Sequence, residues 1–199
     1  MSGRPDLRLD QKIIVEIVTP GATVLDLGCG AGELLAALVE EKHVSGEGIE
    51  IDDQAILECV TKGLNVFHDD IDRGLSEYED NSFDFVILNQ TFQQVKRPDE
   101  VLKEALRVAA KVIVGFPNFA TLATRFQLAV RGRVPVTPSL PYEWHDTPNL
   151  HFLSVRDFID YCGKQNIRIE KAFYFNSKKR IRRLPNVLAD VGVFLVTKD

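Results

Sequence analysis

The sequence predicts an α/β fold: a doubly wound, mostly parallel seven-stranded sheet with a C-terminal antiparallel hairpin at one edge. Three observations lead there. Short β-branched apolar runs alternate with helical patterns through the first 116 residues, as in successive βαβ units. Most of these runs do not alternate apolar with polar residues, which is expected of strands covered by helices on both faces. At residues 24–33 a strand passes through three alternate glycines, Gly28, Gly30 and Gly32, into a helix.

In chain order, a helix from about Pro5 to Thr19 is carried by Ile13, Ile14 and Ile17, and the first strand by Thr23 to Leu27. Leu34, Leu35 and Leu38 give the helix after the glycines its buried face. Strands follow at Gly48 to Ile51 and Asn65 to Phe67, with Ile56, Leu57 and Val60 as the apolar stripe of the helix between them. A fourth strand is expected from Phe83 to Leu88. The next helix opens at Pro98, a good first-turn residue. Asp99 and Glu100 behind it suit the positive end of the helix dipole, and Val101, Leu102, Ala105, Leu106 and Ala109 recur at helical spacing. Lys111 to Phe116 is the fifth strand. Five of the nine prolines then fall between Pro117 and Pro148 together with Trp144, the only tryptophan, so residues 117–153 are expected to form a loop-rich insertion or lid, with Tyr142 and Trp144 packing it over the site. Ser154 to Asp157 is a capping-box-like start to a helix running to about Cys162. Arg168 to Phe175 and Val191 to Val196 complete the sheet as the hairpin. The whole chain, 1–199, is expected to be one domain, with an N-terminal helix (1–20), a ligand-binding core (21–116), the lid (117–153) and a C-terminal helix and hairpin (154–199).

Composition bounds the function. With 45% hydrophobic and 27% charged residues the 199-residue chain resembles an ordinary globular protein, and at this length folding removes roughly 70% of the unfolded surface from water. Neither disulfides nor a structural metal are needed. Cys29, Cys59 and Cys162 are odd in number and widely separated, without zinc-ligand spacing, so no metal site and a reducing compartment are expected. With no signal-peptide core and no run of about 20 apolar residues, the expectation is a cytoplasmic protein with no membrane partner. A net charge of −5 argues against nucleic acid.

The glycine-rich turn is the most informative feature. Glycines permit positive φ and let a ligand lie against bare main chain beside helix N–H groups. A dinucleotide fingerprint requires Gly-x-Gly-x-x-Gly, and its third glycine is replaced here by Glu33. Asp26 and Glu33 would also set two carboxylates where a pyrophosphate must lie. S-adenosylmethionine suits the turn better, because its sulfonium and amino groups are cationic and its carboxylate can take the N–H groups.

Asp26-x-Gly28-x-Gly30-x-Gly32 resembles motif I of class I S-adenosylmethionine-dependent methyltransferases. That resemblance implies a Rossmann-like sheet with S-adenosylmethionine or S-adenosylhomocysteine at the carboxyl ends of the first four strands. It places Glu50 on the ribose diol, with Ile51 beside it and Asp52 or Asp53 capping the next helix. His68-Asp69-Asp70-Ile71 is similar to the adenine-binding segment, with Asp70 or Asp69 accepting from the exocyclic amine and the Ile71 backbone at the ring edge. Asn89, Gln90 and Thr91 would approach the methionine part.

Longer segments narrow the match. Leu88 to Val95, Gly115 to Phe119, Leu140 to Asn149 and Arg182 to Asn186 together resemble the methionine-biosynthesis MetW family over nearly the whole chain. The resemblance implies a methyltransferase-like subunit acting with a homoserine O-acyltransferase of the α/β-hydrolase class. The alternative it leaves open is a stand-alone methyltransferase of a small-molecule carboxylate or hydroxyl. No Gly-x-Ser-x-Gly elbow is present, so the chain is not read as the acyltransferase itself.

No catalytic residue is identified. His145 and His151 are the candidates for acid–base work, with Tyr142 beside them in the lid, and the competing reading is that the histidines are structural. Cys29 is read as a small side chain filling the turn. Lys178, Lys179, Arg180, Arg182 and Arg183 oppose the acidic average. They lie either near the site rim, against an acidic partner face, or on a solvated hairpin turn.

Overall fold

In the computed structural model, which describes residues 7–176 and 179–198, the chain forms a seven-stranded sheet in the order β3-β2-β1-β4-β5-β7-β6. The strands are β1 (Thr23–Leu27), β2 (Ser45–Glu50), β3 (Asn65–His68), β4 (Phe83–Asn89), β5 (Ala109–Pro117), β6 (Ile167–Phe175) and β7 (Val191–Lys198). β1 to β5 are parallel, and β7 inserts antiparallel between β5 and β6. The C-terminal hairpin predicted from sequence is therefore present, with its second strand inside the sheet. Strand order reverses beside β1, so β1 and β4 part at their carboxyl ends and open a crevice there.

The helices are α1 (Leu9–Ile17), α2 (Glu33–Lys42), α3 (Asp53–Thr61), α4 (Pro98–Val108), α5 (Leu122–Phe126), α6 (Val155–Lys164) and α7 (Pro185–Leu188). Ile14 of α1 and Leu34, Leu35 and Leu38 of α2 pack one face of the sheet; Val101, Leu102, Ala105 and Leu106 of α4 pack the other beside Phe158 of α6. On that second face Phe116 stacks on Phe194 at 5.6 Å between ring centres, with Phe158 4.8 Å from Phe194.

Three boundaries differ from the expected ones for physical reasons. β2 starts at Ser45 rather than Gly48, because Thr23 to Leu27 templates the weak β-formers Ser45, Gly46 and Glu47. A Cβ on Gly46 would lie 2.7 Å from Leu35, so glycine lets α2 approach the strand. α4 ends at Val108, and Ala109 pairs with Phe83 as the first residue of β5. The expected stripe on α3 is also corrected: Leu57 and Val60 are 65% and 58% exposed and Cys59 is the buried residue, because α3 covers the short outer strands where little sheet remains to pack on. The first residues of the expected N-terminal helix lie outside the described residues.

The box at the start of α6 is formed as expected: Asp157 N donates to Ser154 Oγ at 3.2 Å and Ser154 N to Asp157 Oδ2 at 2.9 Å. Ser154→Ala is expected to lower stability by about 1 kcal/mol. Urea denaturation reads this as a lower midpoint at unchanged slope, and an unmoved midpoint would deny the cap its role.

Candidate functional site

A cavity of about 490 Å³ opens at the carboxyl ends of β1 to β4. Gly28, Gly30 and Gly32 all take positive φ, +72°, +56° and +80°. Gly28 N and Cys29 N both donate to Ile49 O, at 2.8 and 3.1 Å, which ties the turn to the end of β2. The three glycines serve different ends. A Cβ on Gly28 would lie 2.6 Å from Thr91 Cγ2, whereas one on Gly30 would meet nothing within 4 Å and project into open space. Gly28 and Gly30 line the cavity. Gly32 lies outside the lining and faces Leu64 and Cys59, which a Cβ would approach to 2.5 and 2.8 Å, so it packs the start of α2 on α3.

Glu50 is fixed by main chain: Gly30 N donates to its Oε2 at 2.8 Å, and Ile51 N and Asp52 N to its Oε1 at 2.7 and 3.0 Å. A carboxylate offers about four acceptor sites. One on Oε2 is left for a ligand. Asp26 is 3% exposed and, among the described residues, none donates a hydrogen bond to its side chain; burial, and then the charge of Glu50, push its carboxyl up to about 7. An ionisable group strained in this way at a cleft is a physical mark of a binding site. Cys29 is buried with its Sγ against Gly48, where a Cβ would be 2.7 Å away, and burial pushes its thiol far above the ordinary range. It fills space in the turn.

Ile51, Asp69, Asp70 and Ile71 line the adjoining wall. Asp69 Oδ1 accepts from Asp70 N and Asp70 Oδ1 from Asp72 N, which starts a 3-10 turn over Ile71–Arg73. Asn89, Gln90 and Thr91 line the side above β4. Asn89 does not aim its amide into the cavity: Nδ2 donates to Asp10 Oδ2 at 2.8 Å, and Oδ1 is buried beside Gly115 without a partner. Gln90 is held at φ +64°, with its carbonyl accepting from the side chains of Gln93 and Gln94.

The structure adds residues that sequence reasoning missed. Arg8 and Gln11, from the start of α1, line the cavity. Arg8 pairs in fork geometry with Asp10, at 3.2 and 3.0 Å, and Gln11 Oε1 accepts from Arg8 N. A signal existed, because Asp10 and Gln11 sit one turn before Ile14 on the core-facing side and are buried polar residues. Asp72 accepts from Lys96 N at 2.9 Å and joins the 3-10 turn to the loop after β4. Six carboxylates, from Asp26, Glu33, Glu50, Asp69, Asp70 and Asp72, thus face two cations, Arg8 and Lys96.

The lid expectation meets a different arrangement, since no residue of 117–153 lines this cavity. Trp144 is 73% exposed and rests against His145, which pairs with Glu143 at 3.8 Å. Tyr142 lies on a small separate depression with Phe119 and Phe152. His151 lines a third hollow with Phe92, Asp99 and Tyr161, and its N–H donates to Gln93 O. Lys178 of the basic cluster lies outside the described residues.

Strand order, the glycine turn and the acid at the end of β2 define a protein of the class I methyltransferase fold. Solved structures agree: an S-adenosylmethionine-dependent methyltransferase from Thermotoga maritima, described as a possible histamine N-methyltransferase, has a TM-score of 0.69 at 20% identity over 96% of this chain and 88% of that one. One from Archaeoglobus fulgidus has a TM-score of 0.69 at 18% identity, over 96% and 91%. Within that class the chain belongs to the family of the methionine biosynthesis protein MetW, whose model matches residues 8–196. A bifunctional methionine biosynthesis protein MetXA/MetW from Rhodopirellula baltica is 36% identical over 97% of this chain, and the chain spans 33% of that relative's length. A ribosomal protein L11 methyltransferase from Burkholderia pseudomallei is 32% identical over 54% of this chain and 36% of that one.

Proposed function

We propose that this protein of methionine biosynthesis binds S-adenosylmethionine or S-adenosylhomocysteine in the cavity above β1 to β4 and acts beside a homoserine O-acyltransferase. One observation carries the ligand reading: Asp26 is buried at the cavity with no hydrogen-bond donor among the described residues, next to a Glu50 that main chain holds in place. Such a carboxylate is relieved by a cation, and a sulfonium nucleoside with a free amino group provides one. The residues fit that ligand. The bare main chain of Gly28 and Gly30 lies against it, with Gly32 holding the turn in place from behind. Glu50 takes the ribose diol on its free acceptor site, Ile51 and Ile71 flank the base with Asp70 on the exocyclic amine, and the Asn89–Gln90 loop meets the amino-acid end. When bound, the group supplies an electrophilic methyl; the chain's own part is to bind, orient and exclude water. Tyr142, His145 and His151 lie off the cavity, so transfer here would rest on positioning an acceptor that is already ionised. Support for the partner comes from the Rhodopirellula baltica relative, which carries MetXA and MetW in one chain.

Thermal melting tests the ligand. At 100 times its dissociation constant a ligand stabilises by about 2.7 kcal/mol, a rise of roughly 5 to 10 °C at this chain length. Either S-adenosylmethionine or S-adenosylhomocysteine is expected to give that rise, and Glu50→Ala to remove most of it; no rise with either compound sinks the reading. Co-purification with the cognate acyltransferase, and acyl-transfer assays with and without this chain, test the partner.

A further inference from the structure

Among the described residues, twelve of the nineteen exposed large apolar side chains fall in two stretches, ten between Leu122 and Phe152 and two at Leu184 and Leu188. Phe126, Val130 and Trp144 are 58%, 65% and 73% exposed. An isolated exposed apolar residue needs no explanation, but a concentration of this kind marks an interaction surface. The stretches share a base: Asn118 Nδ2 donates to Ala189 O at 2.8 Å and to Asn186 O at 3.3 Å, which sets α7 against the start of the segment that carries α5.

Charge reinforces the pattern. No Asp or Glu occurs from 105 to 142, nor from 171 to 189, in a chain whose net charge is −5; Glu143 and Asp146, beside Trp144, are the acids of the first stretch. Arg125, Arg131 and Arg133 stand on the first stretch, and Lys179, Arg180, Arg182 and Arg183 precede α7 on the second. The acidic cavity lies further along the same edge of the sheet, over β1 to β4, whereas these stretches leave it at β5, β6 and β7, and the two share no lining residue. One edge of the sheet therefore carries an acidic ligand cavity over β1 to β4 and, beside it over β5 to β7, a region that is both basic and apolar.

Leu184 is an independent sign. It sits in the left-handed region at φ 50°, ψ 51°, directly before Pro185, and is 67% exposed. The left-handed conformation disfavours a branched side chain, and a following proline narrows the choice further. A residue kept both strained and exposed, where asparagine or glycine would relax the backbone, points to a use for its side chain outside the fold.

We propose that this basic, apolar cap is the docking face for the acyltransferase partner, which meets it with an apolar patch rimmed by carboxylates. The proposal rests on the partner reading above. The fused relative supplies the occupant, since it keeps a MetXA portion permanently beside this domain. A central apolar cluster ringed by charge is the common anatomy of such an interface. A lipid surface fits less well, because the apolar residues lie on a five-residue helix, one further helical turn and extended chain rather than on one long amphipathic helix.

The test measures binding of the full chain to the separately purified cognate acyltransferase, at low and high salt, for the parent and three variants. The parent should bind, more weakly at high salt. Phe126→Glu, and Arg182→Glu combined with Arg183→Glu, should each weaken binding at least tenfold. Leu184→Asn should weaken it at least threefold without lowering the melting temperature, a combination that a purely structural leucine would not give. All three should keep the parent's melting response to S-adenosylhomocysteine, which shows the fold intact. If the parent binds and the variants bind equally well, the docking face is wrong and the partner reading stands. If the parent does not bind, both fall. Loss of self-association in Phe126→Glu, or cap-dependent binding to anionic phosphatidylserine vesicles, with partner affinity unchanged, would assign the face to a second copy or to lipid and overturn the proposal.

Discussion

Between pH 4 and pH 8 the stability of Asp26→Asn relative to the parent is expected to rise by about 4 kcal/mol. Asp26 titrates at about 7 in the folded chain against 3.8 for an ordinary aspartate, chiefly because burial disfavours its charged form. The folded state thus holds a proton that the unfolded state has already released. Stability is full below the unfolded value, falls as pH rises through the window, and is lost above about 7 to the extent of that shift, on the order of 4 kcal/mol. Asparagine carries a roughly constant desolvation cost instead, so the difference between the two chains isolates the carboxyl. Denaturant titrations at pH 4, 6 and 8 measure it, and a flat difference would show that the carboxyl is not strained. The same strain should appear in binding: a cationic ligand favours ionised Asp26, so parent affinity for S-adenosylmethionine should increase from pH 6 to pH 8, while that of Asp26→Asn should not.

The fold was legible where burial is two-sided and continuous. Val24 to Leu27 and Val86 to Leu88 are buried almost completely, and unalternating apolar runs announce such strands directly. Legibility fell at the sheet's outer end. There Ser45 to Glu47 become a strand because a neighbour offers its hydrogen bonds, and Leu57 and Val60 keep a helical rhythm with little sheet to bury them. Periodicity reports that a face is apolar. It does not report whether anything lies beneath it.

The candidate site divides along the same line. Asp26, Gly28, Gly30 and Glu50 come from two adjacent strand ends, so a local motif suffices to bring them together. Arg8 and Gln11 arrive from a helix that packs on the sheet through Ile14 and is tied to the end of β4 by the Asn89 to Asp10 bond; the sequence shows that Asp10 and Gln11 lie on its core-facing side, but not that this side borders the cavity. The proline-rich segment was legible as irregular, but its composition could not say which side of the sheet it covers. Its apolar residues were visible from the start; their exposure was not.

Gly28→Ala should cost the folded chain about 2 to 5 kcal/mol, and Gly30→Ala only about 1 to 2. Both glycines hold positive φ, where a side chain costs roughly 1 to 2 kcal/mol. Only Gly28 adds a collision, since its Cβ would fall 2.6 Å from Thr91 Cγ2 and 2.7 Å from Thr91 Oγ1. Overpacking of that kind adds about 1 to 3 kcal/mol, and relief requires moving Thr91 and with it the loop that closes the cavity above β4. At Gly30 the added methyl meets no protein atom, but it enters the space beside Glu50 that a ligand must use. The two variants should therefore part company: Gly28→Ala loses stability and ligand together, whereas Gly30→Ala loses ligand affinity tenfold or more with most of its stability intact. Urea midpoints paired with titration calorimetry separate them. Equal losses of stability would show that Thr91 yields freely, and full ligand affinity in Gly30→Ala would move the bound nucleoside away from the turn.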